Sequence, residues 1–309
     1  EDYKLHYSIG IYHIKDVNKD MSSMIDKASI ARKKGKTSYS TTINVFTTEM
    51  EENLAMQNGI VEIMEQAMDD HEFVPVFQIK RNLKTNDIVG AEVLVRWIQR
   101  NGKMIYPNNF IPIFEKNGFI TQLDLYMLEE VCKFITINKQ LKLPIISVNF
   151  SAVTLLNQNI VEDCINILER YDVNPNMLEF EVTESAFVNN FELAADKLDK
   201  FAKLGIKLSM DDFGTGVSTL NRLKDININI LKIDRMFLSD SMDDAKGINI
   251  IKNIINLSKD LGLTTVAEGI ETNEQRVLLE ELNCDVGQGY YFSKPIFEKD
   301  FIQLLEENI

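Results

Sequence analysis

Histidine is scarce in this sequence, and where it falls matters more than how many there are. The three residues, His6, His13 and His71, all lie in the first quarter of the chain. The remainder can therefore build neither a His-ligated zinc site nor a Ser-His-Asp triad. Hydrolytic chemistry there must rest on carboxylates, amides and lysine, an oxygen-rich set that suits Mg²⁺ or Mn²⁺. Cysteine is equally sparse. Cys132, Cys164 and Cys284 are scattered, odd in number and outside any CxxC pair, as expected of reduced core thiols. Positive charge is short too: 33 Lys and Arg against 47 Asp and Glu leave a net charge of −14. That balance excludes a surface for DNA or RNA polymers, which need cations against their phosphates. An anionic small molecule is still accommodated if metal ions supply positive charge. No apolar run reaches the length of a membrane span, and no signal peptide is visible. The expected location is the cytoplasm, with membrane contact only through segments outside this chain. The chain opens on Glu1 rather than Met, which fits a piece of a longer protein.

What is present is a regular alternation. From Phe73 onward, β-rich runs (FVPVFQIK, IVGAEVLVRW, PIISVNFS, MLEFEVTES, GIKLSMDD, INILKIDR, LTTVAEG and VGQGYYF) alternate with amphipathic stretches. The helical patterns include Leu123–Ile137, Val161–Arg170, Phe191–Leu204 and Ile248–Leu261. Eight strands with intervening helices predict an α/β fold, a modified (β/α)₈ TIM-like barrel. The first two strands are separated only by RNLKTND, too short for a crossover helix, so an antiparallel pair is expected there. Residues 1–47 read as a small α+β fragment, with a strand at LHYSIGIYHI and a helix from Met21 to Lys34. A polar helix, Glu49 to Met68, follows, and the barrel domain is taken as residues 48–309.

In such a barrel, functional groups come from the C-terminal ends of the strands. Alternation with period two puts Glu92, Leu94 and Arg96 on one face of AEVLVRW and Val93, Val95 and Trp97 on the other. The charged face is the site face. By the same parity Asn149, Glu181, Lys232, Glu268 and Gln288 point inward. The adjacent Asp211 and Asp212 are the oddity: two carboxylates about 4 Å apart repel by roughly 4 kcal/mol at an effective dielectric near 20. Each inward residue also has an ordinary structural role open to it. Glu92 and Arg96 suit a structural ion pair, Asn149 the satisfaction of backbone groups, and Lys232 a buried partnership with Asp234. The count argues otherwise. Glu92, Glu181, Asp211, Asp212 and Glu268 reach one rim, and one Lys and one Arg do not balance them. Two divalent cations do, with Asp211 placed to bridge. A paired-metal carboxylate site with a Lys and an Arg favours in-line hydrolysis of a phosphodiester.

At these residues the chain resembles the EAL-domain family of cyclic di-GMP phosphodiesterases, over about Leu54 to Ile309. The naming motif stands here as Glu92-Val93-Leu94, accompanied by VNFS, EVTES, DDFGTG, KID, AEGIE and QGYYFSKP. The resemblance implies one metal ion held by Glu92, Asn149, Glu181 and Asp211, and a second by Asp211, Asp212 and Glu268. It implies Lys232 as the catalytic lysine, Gln288 beside the attacking water, and Gln78, Leu94 and Arg96 against the dinucleotide. Glu184 would anchor the DDFGTG loop, which in this family links the site to a dimer interface, so a homodimer through the barrel is expected. The implied product is linear pGpG. Two positions depart from the pattern: Val93 replaces the motif's Ala, and Ile79 replaces the usual Pro after Gln78. Residues 1–47 resemble the C-terminal part of a GGDEF domain without its naming motif. Two readings stay open, an active phosphodiesterase and a catalytically silent cyclic di-GMP receptor acting through a protein partner.

Overall fold

The computed structural model describes residues 6–14, 18, 20–34, 41–214, 220–239 and 245–307. Contacts divide the chain into two units, Glu1–Ala67 and Met68–Ile309. In the first, β1 (Ser8–Ile11) and β2 (Thr42–Val45) pair in parallel, connected through α1 (Met21–Lys34). Gly10 permits the helix to sit this close, because a Cβ there would collide with the Ala28 carbonyl oxygen. Next comes α2 (Thr48–Asp69). Its Glu51 pairs with Lys27 of α1, and the Lys27 ammonium also lies 5.4 and 5.5 Å from the Tyr12 and Phe46 ring centroids. The division places most of α2 with the first unit, whereas the sequence suggested a boundary at residue 47/48.

The second unit begins with β3 (Phe73–Asn82), β4 (Ile88–Ile98) and β5 (Met104–Ile105), then α3 (Pro107–Asn117) and α4 (Ile120–Ile137). There follow β6 (Ile145–Phe150), α5 (Ala152–Leu156), α6 (Ile160–Tyr171), β7 (Leu178–Thr183), α7 (Ala186–Asn189) and α8 (Phe191–Leu204). The chain continues through β8 (Lys207–Phe213), β9 (Ile230–Ile233), α9 (Met236–Ser239) and α10 (Ala245–Asp260). It ends with β10 (Thr264–Ala267), α11 (Asn273–Glu281), β11 (Val286–Gln288), β12 (Ile296–Phe297) and α12 (Glu298–Glu307).

Strands β3, β4, β6, β7, β8, β9, β10 and β11 close into an eight-stranded barrel, because β3 pairs with both β4 and β11. All run parallel except β3, which is antiparallel to both neighbours. The turn between β3 and β4 explains that reversal. The Asn82 side chain accepts from the Lys84 and Thr85 amides at 2.9 and 3.0 Å, and Asn86 takes φ 63°. This is a side-chain-stabilised turn, far shorter than a crossover requires.

Outward-facing positions bind the helices through aromatic contacts. Trp97 lies 4.9 Å from Phe73 and 5.5 Å from Phe110, while Phe77 stacks on Phe301 at 4.7 Å. Phe180 packs against Phe150 and Phe201 at 4.4 and 5.0 Å. Inward positions are divided by chemistry. One side of the barrel interior is apolar, with Ile230, Val266 and Val286 in a cluster. The other carries Lys80, Ser147, Glu179 and Ser209, all buried. Burying those polar groups requires that each find a partner.

One buried acid links the helical layer to the rim. Asp124 of α4 accepts the Ser151 amide at 2.9 Å, and Ser151 caps α5 by accepting the Thr154 amide at 3.0 Å. Ser151 follows closely on Asn149, so this network fixes the end of β6. Burial raises the Asp124 pKa to about 7, because the hydrogen bonds from Thr154 and Ser151 offset only part of the desolvation. In the unfolded chain the group ionises near about 4. The folded state thus holds the extra proton, and this stability, complete below that value, is lost as pH rises through about 7. We predict that Asp124→Asn gains stability relative to the unaltered chain between pH 4 and 7, by up to about 1.4 kcal/mol per pH unit. Urea denaturation at pH 5 and pH 8 measures this, and a pH-independent difference would contradict it.

Candidate active site

Register across parallel strands brings the inward residues to one level. Asn149 is paired with Glu181, and Lys232 with Val266, two residues before Glu268. Lys232 lies at the centre and is fully buried. Its ammonium hydrogen-bonds Glu181 Oε2 and lies 2.5 Å from Glu268 Oε1, 3.2 Å from Asp211 Oδ1 and 3.6 Å from Glu92 Oε2. Asp234, the partner its ordinary structural role would suggest, instead accepts the Met236 amide at 2.7 Å. Glu92 is held from two sides. Asn149 donates to its Oε1 at 2.7 Å and Gln288 to its Oε2 at 2.6 Å. The same Gln288 nitrogen lies 3.1 Å from Gln78 Oε1, and Gln78 donates to the Ser293 carbonyl at 3.1 Å.

This concentration of charge shifts the titration of Glu92, Glu181, Lys232 and Glu268. Burial, then repulsion from Glu181, raises the Glu92 pKa. Glu268 rises to about 8, burial and the neighbouring carboxylates outweighing Lys232. Burial opposes ionisation of Glu181 also, but Lys232 and Lys80 overcome it and hold its pKa at about 2. Lys232 itself is raised well above its ordinary value, since the carboxylates outweigh desolvation. An ammonium has three protons and cannot satisfy four carboxylates. Among the described residues, Glu268 Oε1 and Gln288 Oε1 are buried with no hydrogen-bond donor; the Glu268 contact to Lys232 is one of charge alone.

The donor set fits a divalent cation. Glu92, Glu181 and Glu268 each offer a carboxylate oxygen, all within 4.8 Å of one another. With Asn149 and Asp211 alongside, the cluster is all oxygen and amide, the chemistry of Mg²⁺ or Mn²⁺ rather than zinc.

The paired aspartates are resolved by a bulge. The β8–β9 register shifts between Met210 and Phe213, and Asp212 adopts φ 54°. Strict alternation would send Asp212 out of the barrel. The left-handed turn, which Asp tolerates better than most residues, returns it to the cavity wall. Asp211 faces Lys232, whereas burial, Asp211 and Asp234 raise the Asp212 pKa to about 6. The cavity above measures about 680 Å³ and is lined by Gln78, Glu92, Leu94, Arg96, Asp212, Glu268 and Gln288. Asn149, Glu181, Asp211 and Lys232 form the bonded cluster adjoining it.

Residues 61–295 match the model of the EAL domain. The chain belongs to the EAL domain family. It is 34% identical over 247 residues to the signaling protein YkoW of Bacillus subtilis, covering 79% of this chain and 31% of that protein. It is also 34% identical over 247 residues to the probable cyclic di-GMP phosphodiesterase PdeG of Escherichia coli, covering 79% of this chain and 48% of that one. The chain thus spans between about a third and a half of these relatives. Among solved structures, the PaMucR phosphodiesterase in complex with c-di-GMP superposes with a TM-score of 0.75 at 31% identity, covering 79% of this chain and 99% of that one.

Within this EAL domain the two departures are accommodated on the outer face. Val93 and Ile79 are both buried there, while Gln78 keeps its inward position. Residues that the sequence reading passed over are Asn108, Arg235 and Tyr290 on the cavity wall, and Lys80 beneath it; Asp234, read there only as a partner of Lys232, also lines the cavity. Lys80 enters the charge count together with Glu179, since this second buried ammonium contacts Glu179 and Glu181 at 3.0 and 2.7 Å, and the surplus of rim carboxylates stands. Its signal was available: it shares parity with Gln78, as Glu179 does with Glu181.

Glu184 lies beside the bulge. Its amide donates to the Asp211 carbonyl at 3.2 Å, and its Oε2 accepts the Gly214 amide at 3.2 Å. Its amide and carboxylate together bracket the stretch that carries Asp212; the rest of the loop it was expected to anchor, from Thr215, lies outside the described residues. Hydrogen bonds to charged groups contribute about 1.5–3 kcal/mol. In Glu184→Ala the Gly214 amide should therefore exchange with solvent at least about tenfold faster. Hydrogen exchange followed by NMR reads this directly, and unchanged protection would show that the loop is held by other contacts.

Proposed function

We propose that this EAL domain hydrolyses cyclic di-GMP to linear pGpG with two Mg²⁺ or Mn²⁺ ions. The observation that carries the reading is the convergence of Glu92, Glu181, Asp211 and Glu268 on Lys232, beside a cavity walled by Gln78, Leu94 and Arg96. Glu92, Asn149, Glu181 and Asp211 would hold one ion, and Asp211, Asp212 and Glu268 the other. Such ions neutralise phosphate charge and activate water for in-line attack. The protein's own groups supply the rest. Arg96 reaches a non-bridging phosphate oxygen, Gln78 and Leu94 seat the dinucleotide, and Gln288 orients the attacking water. Lys232 meets the charge that develops at phosphorus or assists the water. The name of the relative PdeG and the c-di-GMP complex of PaMucR support this substrate.

The remaining proposals concern assembly. The DDFGTG segment anchored by Glu184 is proposed to connect the site with a homodimer contact through the barrel. Residues 1–47 are proposed to be part of a GGDEF-like domain. The exposed Ile9, Ile11, Ile43 and Val45 on their two-stranded parallel sheet support that reading, since parallel sheets are ordinarily covered on both faces. A cytoplasmic site of action is proposed; no described helix is long and apolar enough to cross a membrane.

Incubation with cyclic di-GMP and chromatography for pGpG tests the reaction. Turnover is expected with Mg²⁺ or Mn²⁺ and not with Ca²⁺, whose longer bonds and higher coordination misplace the attacking water. Tight binding of the dinucleotide without turnover in any of these ions would contradict the proposal and favour a receptor. Lys232→Ala should abolish most turnover while leaving binding measurable by calorimetry, because its contribution falls on developing charge. Loss of binding in step with rate would make it a binding residue instead.

A further inference from the structure

Lys80 lies one layer below the rim, and its surroundings are built around it. Its ammonium donates to Ser147 Oγ at 2.6 Å, Glu179 Oε1 at 3.0 Å and Glu181 Oε1 at 2.7 Å, which uses all three protons. Ser147 and Glu179 each precede a rim residue, Asn149 and Glu181, by two positions, so they face the same interior one level deeper. Gly90 stands opposite Lys80 on the neighbouring strand, and a Cβ there would lie 3.4 Å from Lys80 Cδ and 3.3 Å from the Ile145 carbonyl oxygen. The consequence falls on Glu181, whose two oxygens have different neighbours. Oε1 points down to Lys80, and Oε2 points to Lys232 at the rim.

We propose that Lys80 is a positioning residue that withholds one oxygen of Glu181, leaving Oε2 alone for a metal ion and thereby favouring small divalent ions over calcium. The inference rests on Glu181 being a metal ligand. A dication on Oε1 would meet the Lys80 ammonium, which Ser147 and Glu179 hold in place, at contact distance, where like charges repel strongly inside a protein. On Oε2 it would instead displace Lys232, whose three protons already face more carboxylates than they can serve. Calcium gains from carboxylates that offer both oxygens to one ion, whereas magnesium-sized ions demand near-octahedral geometry with single oxygens. Glu179 keeps the arrangement neutral, so Lys80 imposes the orientation without adding net positive charge to the site.

The test is the ratio of Ca²⁺ to Mn²⁺ dissociation constants, measured by calorimetry on the full chain with the metals alone. The variant is Lys80→Met with Glu179→Gln, which preserves net charge and isolates orientation from electrostatics. The ratio should fall about tenfold, calcium gaining on manganese, while thermal unfolding remains cooperative. A ratio within threefold of that of the unaltered chain would mean that Lys80 is only a charge partner for Glu179. Should the double variant not fold, Ser147→Ala removes one anchor of Lys80 and no charge. It should shift the ratio in the same direction by about threefold, and an unshifted ratio overturns the proposal. An unaltered chain that binds neither ion would remove the premise that Glu181 is a metal ligand, and the proposal with it. Absence of turnover on cyclic di-GMP would leave it standing.

Discussion

Everything at the rim depends on one buried ammonium surrounded by more carboxylates than it can neutralise. Lys232 touches Glu92, Glu181, Asp211 and Glu268, and three protons serve at most three of them. A buried carboxylate without a partner is costly, and the usual response is a shifted pKa. Glu268 shows that response, displaced to about 8, while Glu181 shows the opposite because two lysines hold it at about 2. The excess of negative charge is therefore a structural demand for further cations. It also explains why the net charge of −14 is compatible with an anionic substrate.

The barrel meets that demand by dividing its interior. Ile230, Val266 and Val286 fill one side as an ordinary apolar core. On the other, Lys80 donates to Ser147 and Glu179 and to Glu181 above them, holding Glu181 from below. The aromatic layer outside, with Trp97, Phe73 and Phe110 at one end of the hairpin and Phe77 against Phe301 further along it, makes the strands a rigid platform. Function can then rest on strand ends whose positions are fixed by packing.

Much of this was legible in the sequence because period-two alternation has few exceptions in a closed barrel. The eight runs from FVPVFQIK to VGQGYYF are the eight barrel strands, and the short RNLKTND connection marks the antiparallel pair. Parity alone brings Glu92, Asn149, Glu181, Lys232, Glu268 and Gln288 together. Parity fails at Asp212, where the bulge and a positive φ override it, and no propensity announces such a bulge between two aspartates. The count of carboxylates at the rim, rather than alternation, brought Asp212 into the site. Lys80 was missed for a different reason. A lysine in a strand interior reads as a solvated edge position, and its partners Ser147 and Glu179 are distant in sequence. The Lys27–Glu51 ion pair between α1 and α2 joins two helices in a way that neither periodicity nor composition encodes.

The central claim is that the surplus carboxylates exist to hold paired divalent ions. Anomalous diffraction from crystals grown with Mn²⁺ tests it most directly. The account predicts two manganese peaks roughly 3.5–4 Å apart, both adjoining Asp211. Glu92, Asn149 and Glu181 should surround one peak, and Asp212 and Glu268 the other. A map without manganese at Asp211, in which Lys232 keeps its contacts to all four carboxylates, would contradict it.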